Sequence, residues 1–433
     1  MISPVLSAET LREIAREAIR ASTADVMSVL VHHVATGVTR VAENRVRLVN
    51  SGDTLTIELS TRFGHRGPAR IQFNQIDAGS IREAVRYAER LAHEREGDPA
   101  LTTNVLPIPP RTFGPNTVWH ARTADAMATE RQAIVPALLA PMRAANLRAA
   151  AFVGVYAHAT MYAVKQGLFS MGQETDAELT VTGWDRNDNG VLSGAGWAGQ
   201  TAREWSALDP TKVGVEAAKL ATLAANAVAY EPGRRMAILG RPAVAQMVRA
   251  MGADYGAWPT HMGYTPLSGI KIDQKVVDAR IELSSDPNDP EGGYLPMNDH
   301  GYPLHPMSWL EQGALKNLAY SAYEAAVASI PVSNDSPTSL RLQAPHAATK
   351  TVDEMIADAK EAIYVNRFAD IRVIHWRSGL MTGVTQGGCF LVHNGKIEKP
   401  VKDFRFVESM YFILNRLVAI GTPERTAFGY SPW

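Results

Sequence analysis

Helix-like and strand-like hydrophobic patterns come in clusters along this chain rather than in strict alternation. That order favours an α+β architecture over a doubly wound parallel sheet, in which every strand leads into a crossover helix. A helical stripe of Leu11, Ile14, Ala15 and Ala18 starts after Ser7, a good N-cap, and runs to about residue 21. Leu55, Ile57 and Leu59 alternate with polar residues and mark a strand over 54–60; a second is expected over 70–73. The stripe Ile81, Ala84, Val85, Ala88 and Leu91 predicts a helix over 80–93. Residues 97–122 read as loop, with Pro107, Pro109, Pro110 and Pro115, and a third helix over 123–145 is expected to break at Pro136 or Pro141. Residues 152–156, 161–164 and 178–182 suit the strands of an antiparallel meander. Asp209-Pro210 then supplies an N-cap and a proline at the first helical position, for a helix reaching about residue 229.

The second half opens with a strand at 235–239. Helices are expected over 243–251 and 352–362, and residues 387–397 read as a hairpin turning at Asn394-Gly395. At roughly 150 residues per domain, 433 residues imply two or three domains. The expected division is an N-terminal α+β domain over 1–230 and a strand-rich C-terminal domain over 231–433.

Composition removes several classes of function. Lys+Arg number 43 and Asp+Glu 44, so the basic surplus of a duplex-binding protein is missing and no nucleic-acid partner is expected. A single cysteine, Cys389, allows no intramolecular disulfide and no Cys-rich zinc ribbon. No apolar run approaches the roughly 20 residues that span a bilayer, and the first residues lack the basic-then-apolar pattern of a signal peptide. The expectation is a cytoplasmic protein without a membrane partner.

Some motifs resemble chemistry but lack its context. Gly194-Ala-Gly-Trp-Ala-Gly199 fits a dinucleotide fingerprint, yet no helix follows it directly, so small residues in a strand or bulge are the better reading. Asp185-Arg-Asn-Asp-Asn-Gly190 begins like a calcium loop, but its twelfth position is Gly196 rather than a bidentate Glu; a polar hairpin turn is expected. His93-Glu94 has no second histidine one turn on, which leaves it a solvated helix end. His32 and His33 are adjacent on a strand and face opposite ways. His300 and His305, in a Pro/Gly-rich segment, would need a distant third ligand such as His261 to hold a metal; a solvated loop is favoured. Cys389, among apolar neighbours, reads as a buried, inert thiol.

The C-terminal half carries an order of segments: Gly269-Ile-Lys-Ile-Asp-Gln-Lys-Val-Val277, Asn298-Asp-His-Gly-Tyr-Pro303, Trp309-Leu-Glu-Gln-Gly-Ala-Leu-Lys316, Tyr364-Val-Asn-Arg-Phe368, Thr382-Gly-Val-Thr385 and Gly388-Cys-Phe-Leu-Val-His-Asn-Gly-Lys-Ile397. This resembles the TldD/PmbA family, once named modulators of DNA gyrase. In that family an acidic Gly loop precedes a strand ending in a Glu-Asn-Gly turn, and a late hairpin reads Leu-Ile-Glu-Asn-Gly-Lys-Ile. Asp299, Gly301, Gly313, Asn394 and Gly395 fall on those loop and turn positions. The resemblance implies the family's fold: a helix and antiparallel-sheet domain followed by a strand-rich domain.

The family has two kinds of subunit. TldD-type members hold zinc with a His-Glu-x-x-x-His helix and a late cysteine; TldE/PmbA-type members lack these ligands and pair with a TldD-type partner to degrade unfolded or extended peptides. Here the corresponding segment is Pro242-Ala-Val-Ala-Gln-Met-Val-Arg-Ala-Met-Gly252, with Gln246, Met247 and Arg249 at the degenerate zinc-helix positions, and no cysteine near residues 420–423. Three ligands and an open water position make a catalytic zinc, and these side chains cannot supply them. The resemblance therefore implies a non-catalytic, TldE-like subunit. It would hold no cofactor of its own, with zinc in a TldD-type metallopeptidase partner and an extended peptide as substrate. Two alternatives stand beside it: a stand-alone metal-dependent hydrolase using His261, His300 and His305, and a scaffold homodimer without peptidase partner. Catalytic residues are not assigned.

Overall fold

The computed structural model describes residues 5–97, 118–186, 192–289, 302–330, 334, 337 and 339–427. Helix α1 (Ala8–Ala21) starts where expected, with the Ser7 side chain accepting from the Thr10 backbone N–H. Two long strands follow, β1 (Val26–Ala42) and β2 (Arg45–Arg62), turned at Glu43 and Asn44, both at positive φ. Then come β3 (Ala69–Phe73), α2 (Ala78–Glu94), and the shorter helices α3 (Ala121–Ala124), α4 (Ala128–Ala133) and α5 (Val135–Ala144). The third helix is broken at Ile134, ahead of Pro136, while Pro141 is accommodated inside α5. Strands β4 (Arg148–Val164), β5 (Phe169–Arg186) and β6 (Leu192–Ala202) lead to α6 (Pro210–Leu223). The two expected strands at 152–156 and 161–164 are one, because no turn residue interrupts the alternation between them. Helix α6, capped by Asp209, stops before residue 229; Asn226 takes a positive φ just past its end.

These six strands form one antiparallel sheet in the order β3-β2-β1-β4-β5-β6. Side chains alternate between its faces. One face packs on the helices: Val29, Val31, Ile57 and Met161 meet α1 and α2, while Val153, Val155, Leu179 and Val181 meet α5 and α6. The other face carries His32, Tyr156, His158, Glu174, Asp176 and Glu178 in register. His32 and His33 thus do point to opposite faces; His33 is buried on the helix side, where it accepts from the Leu6 N–H and pairs with Asp53.

The glycine motif lies in β6, against α6. A Cβ on Gly194 would fall 1.8 Å from the Ala224 carbonyl oxygen, and one on Gly196 would fall 2.1 Å from the Ala221 nitrogen. The glycines let strand and helix backbones touch, which is a packing role. Gly196→Ala should therefore force α6 off the sheet and destabilise the protein by about 1–3 kcal/mol. The measurement is urea unfolding, with a lower midpoint at an unchanged slope.

The second half contains β7 (Ala237–Leu239), α7 (Arg241–Gly252), α8 (Ala257–His261), β8 (Glu282–Ser285), β9 (Met307–Glu311), β10 (Ala314–Leu315), α9 (Ala322–Ala328), β11 (Leu340–Gln343), α10 (Val352–Asp358), β12 (Glu361–His375), β13 (Leu380–His393), β14 (Lys396–Pro400), β15 (Arg405–Ser409) and α11 (Met410–Leu414). The helix expected over 352–362 ends at Asp358, because β12 has begun by Glu361. One sheet runs β10-β9-β8-β11; the other runs β14-β13-β12-β7, with β15 also on β13. The Asn394-Gly395 hairpin is present, both residues at positive φ, and Gly313 turns β9 into β10 where a Cβ would meet the Val277 and Asp278 carbonyls. Asp299 and Gly301 lie outside the described residues. The chain is thus mixed α+β, with sheets that are antiparallel apart from the β7–β12 pair.

Candidate functional site: a cleft between the sheet and helix α7

The sheet's second face is lined with polar groups yet much of it is out of water. It forms one wall of a cleft of about 2470 Å³ whose opposite side is built by α7, β15, α11 and the chain from Arg416 to Ala427. Glu174 is 4% exposed and Arg203 8% exposed, and the Arg203 Nη1 donates to Glu174 Oε2 at 3.1 Å and to Asp176 Oδ2 at 2.6 Å. Arg425 arrives from the far end of the chain. Its Nη2 donates to Asp176 Oδ1 at 2.6 Å and its Nε to the Thr201 Oγ1 at 2.9 Å. Two guanidinium groups therefore share one carboxylate, and the second ties residues 416–427 to β5 and β6.

Burial dominates the protonation of this face. It pushes Glu174 up to about 7 against the opposing pull of Arg203. It pushes Glu178 up to about 7, with the charge of Asp176 acting in the same direction. His158, whose Nδ1 lies 3.4 Å from His32 Nε2, is pushed down to about 3 by burial, then by His32 and Arg203. The face thus holds neutral imidazole and proton-poised carboxyl groups, a feature the sequence reading missed. Alternation in β4 and β5 places these residues on one side, but nothing local brings Arg425 to them.

On α7, Met247 is fully buried in the second hydrophobic core with Ala243, Val248 and Met251, while Gln246 Oε1 accepts from the Phe368 backbone N–H at 2.9 Å. Arg249 is exposed to the cleft. The turn after α7 buries Asp254, which accepts from the Tyr411 hydroxyl at 3.1 Å and is pushed up to about 7 by burial. Tyr364 stacks on Phe390 in the same sheet. Cys389 is a free, buried thiol pushed up to about 12 by burial, as expected of an inert side chain.

Residues 232–431 match the family described as the PmbA/TldA metallopeptidase C-terminal domain. Three solved structures share the fold over nearly the whole chain: a protein described as a modulator of DNA gyrase from Bacteroides thetaiotaomicron (15% identity, 95% of this chain and 93% of that one, TM-score 0.81), another so described from Thermotoga maritima (14%, 96% and 94%, 0.80), and TldE from Thermococcus kodakarensis (15%, 95% and 94%, 0.80). Residues 232–431 thus carry the C-terminal domain of the PmbA/TldA metallopeptidase family, and the chain as a whole shares the fold of these three proteins. No curated protein sequence matches it.

The metallopeptidase description of this domain raises the question of a metal. Helix α7 contains no histidine and no glutamate. Gln246 is spent on a backbone N–H, Met247 packs in the core, and the Arg249 guanidinium would repel a cation, so α7 does not fit zinc. Of the three histidines considered as ligands, His300 lies outside the described residues. His261 ends α8 with its ring 6.1 Å from that of Tyr320, and His305 is held by its backbone to the Asn334 side chain. Among the described residues no three His, Cys, Asp or Glu side chains gather so as to hold a metal ion. His93 does more than solvate a helix end: its ring stacks on Phe63 at 3.9 Å. Among the described residues no helix is long and apolar enough to cross a membrane.

Two predictions follow from this geometry. Arg425→Ala removes a charge-assisted bond to a half-buried carboxylate, an interaction of order 1.5–3 kcal/mol. Amide exchange over 416–427 should accelerate by about tenfold or more while that of β4 and β5 is unchanged, read by hydrogen-exchange mass spectrometry. The second concerns pH. Asp254 and Glu178 keep their protons up to about pH 7 when folded, whereas in the unfolded chain they lose them near pH 4. Between those values the folded state binds more protons, so stability falls as pH rises from about 4.5 to about 7 and levels off above. Asp254→Asn and Glu178→Gln should each flatten that slope in urea titrations.

Proposed function

We propose that this chain is the non-catalytic, TldE-like subunit of a TldD/TldE-type metallopeptidase complex acting on unfolded or extended peptides. The observation that carries the reading is α7: it lines the cleft, yet offers Gln246, Met247 and Arg249 where a zinc peptidase needs two imidazoles and a carboxylate. The fold shared with the Thermococcus kodakarensis TldE over 95% of the chain supports it. A TldD-type partner would bring the zinc and the activated water. This chain would bring the second wall, shaped to hold extended chain by sheet-edge hydrogen bonding. We further propose two domains, meeting near residue 230, and a cytoplasmic location, where a chain with one buried thiol needs no disulfide.

Affinity purification from the native host tests this. The expected result is a stoichiometric TldD-type subunit that carries the zinc, with peptide cleavage lost when that subunit is removed and restored when it returns. About one zinc per isolated chain, abolished by His261→Ala and His305→Ala, would instead establish a stand-alone hydrolase. A metal-free homodimer with no co-purifying peptidase would make the protein a scaffold.

A further inference from the structure

The two walls of the cleft differ in charge. The sheet wall presents Asp176 and Glu178 against Arg203. The wall contributed by residues beyond 230 presents nine Lys or Arg against five Asp or Glu. Part of that basic surplus is not neutralised locally. Among the described residues neither Arg405 nor Arg416 has an ion-pair partner: Arg405 Nη1 donates to the Thr382 hydroxyl at 3.2 Å, and Arg416 lies over the Phe412 ring at 5.8 Å. Large apolar side chains on the same stretch of the wall stand in water. Val407 is 55% exposed, Phe412 50% and Val418 72%.

We propose that this β15–α11 wall is a docking surface for extended polypeptide in which acidic and apolar side chains alternate. The proposal rests on the reading of the cleft as a peptide-holding wall and names the class of chain it selects. Exposed apolar groups give contact area to an apolar side chain every second residue, and an extended chain offers that spacing. Uncommitted guanidinium groups beside them take carboxylates bidentately, so each glutamate adds a charge-assisted contact without displacing an existing ion pair. Lysine-rich chain is repelled by the same groups. A single-stranded nucleic acid would meet arginine and the rings of Phe406 and Phe412 here, but it would also face the carboxylates of Asp176 and Glu178 across the cleft.

The test uses the purified full-length chain and three fluorescein-labelled ten-residue peptides, with Leu alternating with Glu, Gln or Lys. Fluorescence anisotropy at low and moderate salt reads the affinities. The Glu peptide should bind about tenfold or more tighter than the Lys peptide, with the Gln peptide between, and the margin should shrink with salt. In the Arg405→Gln/Arg416→Gln double variant, with its melting temperature unchanged, the order should collapse to near equality. Equal affinities, a reversed order, absence of binding, persistence of the preference in the double variant, or tighter binding of an oligothymidylate of the same length would overturn the proposal. Recovery of the TldD-type partner by the double variant is measured in parallel. It reports on the subunit reading separately, because failure of the charge preference leaves that pairing intact.

Discussion

The side-chain amide of Asn366 holds the two halves together. It is 4% exposed, and its Nδ2 donates to the Trp197 carbonyl in β6 and to the Gly387 carbonyl in β13, each at 2.8 Å. A register shift between Val365 and Arg367 frees the residue from the β12–β13 ladder and lets it reach across. Gly387 must be glycine to allow this: its φ is +69° and a Cβ would lie 2.6 Å from that of Trp197. Gly240 caps α7 directly against the Asn366 backbone, where a Cβ would fall 2.5 Å from the Asn366 oxygen. The position of α7, and so one side of the cleft, is set by the same buried residue that anchors the sheet. Arg367 adds to the joint by stacking its guanidinium over the Trp197 ring at 4.7 Å.

The second link, Arg425 to Asp176, is of another kind. Asn366 is neutral and satisfied, whereas around Arg203 the buried Glu174 and the half-buried Asp176 lose hydration at a cost that two guanidinium groups must offset. Hydrophobic residues of similar size would give at least as much stability. A buried ionic link specifies instead where residues 416–427 lie, since removing one partner leaves a charge stranded. The chain that closes the cleft is thus fixed by an ionic pair, while the joint behind it is neutral.

Much of the fold was legible because its signals are local. Ser7, Asp209-Pro210 and Asn394-Gly395 each act through bonds within a few residues, and each ends or begins an element where expected. The glycines of β6 were legible as small residues but not as the floor of α6, since that needs the helix placed above them. The extent of β4 was misjudged because short apolar runs conceal one continuous alternation. The candidate site was legible only as a segment, α7, whose side chains differ from those of a zinc helix. Its positive content was not: Asp176 and Arg425 are separated by 249 residues, and the proton-poised state of Glu178 comes from burial by distant segments.

If the chain acts as proposed, its cleft wall has electrostatic work beside a partner's metal. Zinc polarises one carbonyl at one point, but an extended chain must also be held in register on both sides of that point. The exposed Arg249 guanidinium on α7 fits that proposal, since a cation would then sit on the partner. Placed opposite a carboxylate-bearing sheet, it makes the cleft polar across its width. A chain entering such a field is turned before it is cut, because acidic side chains favour one wall and basic side chains the other. The burial that pushes Glu178 up to about 7 makes that field depend on pH, because the carboxyl group gains its charge only as its proton leaves. The absence of His and Glu from α7 and the charge of the wall it helps to build are therefore compatible with the division of labour proposed above.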